Sequence, residues 1–199
     1  MPEVVGPTVS SVTSDAPARL AGMRGLLKEI TADAHARLDA TFAAFDLQTR
    51  SGYRRFLESN AAALIPLEIG LEDFGMRRVL PDWDQRSRRQ AIMADLAILG
   101  GSSRPLPRSE FAEEGAVLGT LYVLEGSRLG ARYLLKGVET SDDPVIRQAT
   151  NYLRHGAAHK FWSSFLTVLE DRSAIVDESA VIDAARRAFG LFQSAAAER

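Results

Sequence analysis

The chain has 199 residues, of which 46% are hydrophobic and 25% are charged, a composition that fits one globular domain with a sizeable core. A formal net charge of −2 and an isoelectric point near 6.0 exclude the broad positive field that nucleic acid or anionic lipid would attract. The absence of cysteine excludes disulfides, thiolate metal sites and cysteine nucleophiles, and it agrees with a reducing compartment.

The beginning of the chain lacks the pattern of a signal peptide. Residues 1–13 are rich in Pro, Ser, Thr and Val and show no helical period, so they are predicted to form a mobile tail before a single helical domain over residues 14–199. No apolar run approaches the eighteen residues that a membrane span requires. We therefore expect a cytoplasmic protein without a membrane partner.

The first predicted helix begins at a cap formed by Ser14 or Asp15 and runs to about Asp39. At about 100° per residue, His35 lies roughly 90° from the centre of the apolar stripe, at the edge of the buried face. That stripe consists of Leu20, Met23, Leu27, Ile30, Ala34 and Leu38. A side chain at such an edge can reach into a cleft between helices.

Two further helices precede the centre of the chain. Ser51 is predicted to cap the second helix, which Pro66 should kink and Gly75 should end. The third follows a turn at Asp82 and runs to about Leu99, before a proline-containing loop over residues 102–108.

The central helix carries glycines where a helix tolerates them least. Ser109 is predicted to start it, and residues 114–137 form its long apolar part. With Gly115 set at zero, the later glycines fall within about 60° of it, so they form one bare stripe. The glycines are Gly115, Gly119, Gly126, Gly130 and Gly137.

Interior glycines cost about 1 kcal/mol each relative to alanine, so another group is expected close to this backbone. Two explanations remain open at this point: a second helix packed on the stripe, or a flat rigid ligand lying across it. Tyr122 and Tyr133 border the stripe and suit either explanation.

The rest of the chain also reads as helical. Pro144 begins a helix that Gly156 interrupts before the pattern continues, and residues 178–198 supply the last helix. No alternating strand pattern or hairpin signal is present. The predicted fold is all α, a single domain of about seven helices.

Three histidines are candidates for chemistry: His35, His155 and His159. The pair His155 and His159 has a spacing that suits a metal, but Gly156 weakens their helix and no carboxylate shares their face. A lone histidine on one helix and a bare glycine backbone on another, by contrast, match what is needed to clasp haem between two helices.

Two segments resemble the haem oxygenase family. LKEITADAH, residues 27–35, is similar to the proximal-helix motif, and EGSRLGARYLLK, residues 125–136, is similar to the distal-helix motif of the bacterial, phytochrome-associated branch. The resemblance implies the haem oxygenase-like helical fold, His35 as proximal iron ligand, and Gly126 and Gly130 as the distal glycines. Ser127 stands where the animal-type enzymes carry an aspartate, which leaves open how the distal water network is held.

The resemblance also implies residues around the cofactor. Lys28 and Lys136 match positions where the family places basic residues near the haem propionates, and we expect Tyr122 to contact the cofactor as well. The implied activity uses haem as both cofactor and substrate. With dioxygen and an external electron donor of the ferredoxin or flavoprotein type, haem is opened to biliverdin, carbon monoxide and ferrous iron. The branch suggests a functional link to a bacterial phytochrome.

Two other functions fit the same pattern. A non-catalytic haem- or small-ligand-binding helical protein would keep the architecture without turnover. A purely structural partner would use the glycines only for helix packing. Addition of haemin distinguishes them, because only a haem-binding protein gives a Soret band that depends on His35.

Overall fold

A computed structural model describes residues 22–198, and in this part of the chain all regular secondary structure is helical. The predicted all-α fold is confirmed. The described residues form ten α-helices and one short 3-10 helix, more than the seven predicted, because three predicted helices are each split in two. Their bounds are α1 (Met23–Ile30), α2 (Ala32–Ala43), α3 (Arg50–Phe74), the 3-10 helix (Met76–Arg78), α4 (Trp83–Arg86), α5 (Arg89–Ile98), α6 (Glu114–Glu139), α7 (Pro144–Gln148), α8 (Asn151–Arg154), α9 (Phe161–Ser173) and α10 (Glu178–Ala197).

The first predicted helix is divided at Thr31. The Thr31 hydroxyl donates to the carbonyl of Leu27 at 2.7 Å, and its backbone, at φ −98° and ψ 1°, leaves the helical conformation between α1 and α2. The prediction of one continuous helix ending near Asp39 was therefore wrong, and α2 extends to Ala43. The predicted tail, 1–13, and the predicted caps Ser14 and Asp15 lie outside the described residues.

The start of α3 also differs from the prediction. Thr49, not Ser51, caps this helix, because its hydroxyl accepts the backbone N–H of Gly52 at 3.1 Å. Pro66 lies inside α3, whose assignment continues without interruption from Arg50 to Phe74. Gly75 ends the helix at φ 88°, as predicted.

Buried carboxylates from distant helices account for two of the splits. Glu68 of α3 accepts the backbone N–H groups of Arg88 and Arg89 at 2.8 and 3.0 Å, which starts α5 separately from α4. Asp95 of α5 accepts the N–H groups of Asn151 and Tyr152 at 3.0 and 2.8 Å, which starts α8 separately from α7. Such caps depend on tertiary contacts, so local sequence patterns do not predict them.

The central helix α6 begins at Glu114, five residues later than predicted, and α10 packs along its first half. A Cβ atom on Gly119 would lie 2.0 Å from the carbonyl oxygen of Val181, and one on Gly115 would lie 3.0 Å from the Cβ of Ala180. Helix packing is therefore the correct explanation for the first two glycines of the stripe. None of the helices within residues 22–198 combines the length and apolarity that a bilayer crossing needs.

Candidate functional site

A cleft lies between α2 and the second half of α6, and contacts at its two ends hold it together. At one end the hydroxyl of Tyr122 is hydrogen-bonded to Thr31, at the junction of α1 and α2. At the other end the Nε2 atom of Gln48 donates to the carbonyl of Gly137 at 2.9 Å. Fifteen residues of α6 separate these contacts, a length of about 22 Å. Within the described chain, α2 and α6 do not pack along each other between the two ends.

Tyr122 is half-buried at its end of the cleft. Burial raises the pKa of Tyr122, and the hydrogen bond with Thr31 opposes that rise. Its ring centroid lies 5.7 Å from that of Trp162 on α9. The expected position of Tyr122 beside the glycine stripe is confirmed, while its contact with a cofactor stays a prediction.

His35 is an exposed residue of α2, with 64% of its side chain accessible. Its Nδ1 atom lies 3.0 Å from a carboxylate oxygen of Asp39, and its ring meets Phe189 edge-on at a centroid distance of 5.8 Å. A carboxylate on Nδ1 fixes the tautomer and leaves Nε2 as the nitrogen for a ligand or metal. The sequence analysis missed Asp39, although its spacing four residues after His35 was a usable signal.

The second half of the glycine stripe is not covered by a helix. A Cβ on Gly126 would meet only the Trp162 ring, at 3.5 Å, and one on Gly130 would have no atom of the described chain within 4 Å. Tyr133, on the same face, is 79% exposed. The stripe therefore consists of a packed half against α10 and an open half that faces solvent.

Ser127 points away from the open face of α6. Its hydroxyl accepts a hydrogen bond from Nη1 of Arg88 at 3.0 Å and donates to the carbonyl of Leu124 at 2.8 Å. Nη2 of Arg88 donates to the same carbonyl at 2.9 Å. Arg88 is almost fully buried, so this serine and this arginine tie the turn before Gly126 to the interior.

A buried ionic cluster lies behind the same part of α6. Glu125, 1% exposed, accepts hydrogen bonds from Arg86 at 3.1 Å and from Arg128 at 2.9 Å. Burial lowers the pKa of Arg128, as does the charge of Arg88, while Glu125 opposes that fall. The sequence analysis considered Arg86 to Arg89 only as a surface patch and missed this cluster. The spacing of Glu125 and Arg128, three apart on one helix, was its only local signal.

The other two histidines lie beside a small cavity, about 20 Å³, between α6, the end of α8 and the start of α9. Burial and the charge of Arg128 lower the pKa of His155 to about 4, so this ring is neutral. His159 stacks on Phe161 at a centroid distance of 4.6 Å. Over residues 22–198 no cluster of three or more potential metal ligands brings these histidines together with carboxylates.

The two lysines named from the sequence lie at opposite ends of the cleft. Lys28 belongs to α1 and precedes Thr31 by three residues, so it lies at the Tyr122 end. Lys136 is adjacent to Gly137, so it lies at the Gln48 end. The structure does not bring these two cations together.

Known proteins of similar sequence and fold were then compared with the chain. It is 28% identical over 154 residues to heme oxygenase PigA of Pseudomonas aeruginosa, which spans 72% of this chain and 75% of the relative. It is 32% identical over 124 residues to a heme oxygenase of Xanthomonas campestris pv. campestris, spanning 60% of this chain and 73% of the relative. No protein-family model matches the chain.

The fold resembles that of the Neisseria meningitidis heme oxygenase, crystallised with NO and CO bound. The TM-score is 0.72 at 21% identity, and the match covers 89% of this chain and 91% of the other. At this identity the likeness concerns the fold. The sequence relatives carry the comparison further.

Proposed function

The chain belongs to the haem oxygenase family, and from that premise we propose that the cleft between α2 and α6 holds haem with His35 on one face and Gly126 and Gly130 on the other. The protein is an oxidoreductase that opens haem to biliverdin, carbon monoxide and ferrous iron. Haem is both its substrate and its prosthetic group. The observation that carries the assignment of the site is the open glycine half of α6, next to a histidine whose Nδ1 is already occupied.

The residues present fit a haem group. Haem iron takes a neutral imidazole nitrogen, and the Asp39 contact at Nδ1 leaves Nε2 of His35 for that bond. The opposite face needs room for a diatomic molecule, and the position of a Cβ on Gly130 is empty to at least 4 Å. The end contacts, Tyr122 with Thr31 and Gln48 with Gly137, define a slot about 22 Å long, enough for a flat macrocycle.

When bound, haem supplies the iron that binds dioxygen and the ring carbon that is oxidised. His35 contributes a neutral ligand, and Asp39 accepts the Nδ1 proton and holds the imidazole plane. Gly126 and Gly130 keep side chains away from the opposite face, so only small molecules and water approach there. The side chain of Trp162, 3.5 Å from the Cβ position of Gly126, limits that space on one side.

Ser127 and Arg88 fix the peptide next to the reacting face. The Ser127 proton is engaged with the Leu124 carbonyl, so the serine is not a free acid in this arrangement. The guanidinium of Arg88 lies behind that turn, where its positive charge favours negative charge that develops on the distal side. Proton delivery from solvent then falls to ordered water on the open side of α6.

A porphyrin carries both propionates on one edge, so Lys28 and Lys136 at opposite ends of the cleft correspond to two alternative seatings. We assign the propionates to the Lys28 end. Arg24 lies one turn before Lys28 on α1, and its charge acts on Tyr122, so two cations and a phenol surround this end.

The electron donor, of the ferredoxin or flavoprotein type, the link to a bacterial phytochrome, and the cytoplasmic location are parts of the same proposal. The absence of cysteine agrees with a reducing compartment. The sequence similarity of residues 125–136 to the phytochrome-associated branch supports the second point.

The test is an anaerobic titration with haemin, followed by reductant and air, with identification of the product. We expect a Soret band that saturates at one haem per chain, then its loss with formation of biliverdin. The control is His35→Ala, which should fold, since His35 is exposed, but should lose the strong axial bond. Recovery of intact haem would instead indicate a carrier, and the absence of a spectral change would refute the haem site.

A further inference from the structure

Helix α9 contacts both walls of the cleft, and its second half holds the start of α1. The carboxylate of Glu170 accepts the backbone N–H of Met23 at 3.0 Å and that of Arg24 at 2.9 Å. These are orphan donors of the first turn of α1, and a negative charge there also complements the helix dipole. The carboxylate acts as an N-cap supplied from 146 positions away in the chain.

Gly22 shows that the chain is shaped around this contact. It has φ +90°, and a Cβ added to it would lie 2.4 Å from Oε2 of Glu170. Within the described residues, no side-chain cap from α1's own N-cap residue replaces the carboxylate. The joint between α9 and α1 therefore depends on a glycine on one side and a carboxylate on the other.

The first half of α9 contacts the opposite wall. The Trp162 ring lies 3.5 Å from the Cβ position of Gly126, and its centroid is 5.7 Å from that of Tyr122. Between the two contacts, Phe165 and Leu169 are fully buried and fix α9 in the core. Eight residues separate Trp162 from Glu170, a distance of about 12 Å along one rigid helix.

The position of His35 follows that of α1. Leu27 of α1 is fully buried, Thr31 joins α1 to α2, and the backbone N–H of His35 donates to the carbonyl of Thr31 at 2.9 Å. A change in the seating of α1 is thus passed to the imidazole within one helical turn.

We propose that α9 is a strut that sets the separation between the two walls, and that Glu170 is a positioning residue for His35. The inference rests on the proposed haem site. Glu170 acts through α1 and touches neither haem nor the reacting atoms.

The experiment uses the full-length protein with Glu170→Ala and Gly22→Ala. The first variant removes the carboxylate, and the second displaces it by placing a methyl group on it. Asp171→Asn, one residue along the same helix and exposed, is the matched control for loss of charge. Three quantities are measured: hydrogen exchange of residues 23–30 in the apoprotein, the rate of haem transfer to apomyoglobin, and the distribution of biliverdin isomers.

We expect both joint variants to exchange faster over residues 23–30, to lose haem about two- to fivefold faster, and to broaden the isomer distribution. The Asp171→Asn protein should match the unsubstituted protein in all three. Faster exchange with an unchanged haem transfer rate and isomer distribution would overturn the inference, since Glu170 would then be only a local cap. Unchanged exchange would overturn it too. Failure of the unsubstituted protein to bind haem, or binding that His35→Ala does not weaken, would refute the proposed function itself.

Discussion

His35 and Asp39 form a pair whose chemistry is decided by one hydrogen bond. The Nδ1 contact of 3.0 Å fixes which nitrogen faces the cleft and raises the basicity of the ligand. Both side chains are well exposed, so the pair is relevant to ligand orientation rather than to the stability of the fold.

We predict that Asp39→Asn lowers haem degradation by about tenfold, the lower end of the range for partners of a metal ligand. The amide can still contact Nδ1 but cannot supply the negative charge. Single-turnover kinetics with fixed haem would measure the effect, and Asp33→Asn, exposed on the same helix, is the control. Equal rates for both variants and the unsubstituted protein would show that Asp39 does not tune the ligand.

His155 links the buried cluster to pH. Burial and the charge of Arg128 lower its pKa to about 4, from an ordinary value of 6.5. Below pH 6.5 the unfolded chain binds a proton at this residue that the folded chain rejects until about pH 4. The associated stability is therefore fully present above pH 6.5 and is lost as the pH falls through this window.

We predict that His155→Gln reduces the loss of unfolding free energy between pH 7 and pH 4.5 by about 1–3 kcal/mol. Urea denaturation at the two pH values measures this difference. His159 is exposed, so His159→Gln should leave the pH dependence as it is in the unsubstituted protein. The prediction fails if both substitutions have the same effect.

The central helix α6 performs two tasks with one residue type. Its first glycines admit α10 to backbone contact, whereas Gly126 and Gly130 leave an open surface. The same deletion of side chains thus stabilises the fold in one half of the helix and provides the site in the other.

Two substitutions in this helix should separate these tasks. Gly119→Ala places a methyl group 2.0 Å from the Val181 carbonyl, so we predict destabilisation. Overpacking of this kind costs about 1–3 kcal/mol. Gly130→Leu meets open space, so the apoprotein should unfold at the same or higher temperature while haem binding is lost. Thermal unfolding and haemin titration of both variants provide the comparison. Haem binding by Gly130→Leu with normal affinity would place the ligand elsewhere.

At this scale the limits of the sequence are clear. The angular pattern correctly predicted that Gly126 and Gly130 share a face with Gly119, but it could not show which part α10 covers. Helix breaks that follow from the carboxylates of Glu68 and Asp95 were missed, because the partners lie far away in the chain. Ser127 was correctly singled out, yet its partner Arg88 is visible only in three dimensions.

For the whole molecule, the arrangement is a slot closed at both ends and open between them. Thr31 and Tyr122 close one end, Gln48 and Gly137 close the other, and helix α9 braces the first. A haem in such a slot has its iron fixed by His35 but can still turn about the iron axis. The basic residues at the ends therefore decide which edge carries the propionates and which ring carbon faces the reactive side.

We predict that Lys28→Ala weakens haem binding by about threefold to tenfold and changes the main biliverdin isomer, because an exposed charge pair contributes about 1 kcal/mol. Lys136→Ala, which removes the same charge at the opposite end, should leave the isomer unchanged. Haem affinity and chromatographic separation of the isomers measure both effects. If only Lys136→Ala changes the isomer, the propionates lie at the Gln48 end, and haem is turned about His35 relative to the seating assigned above.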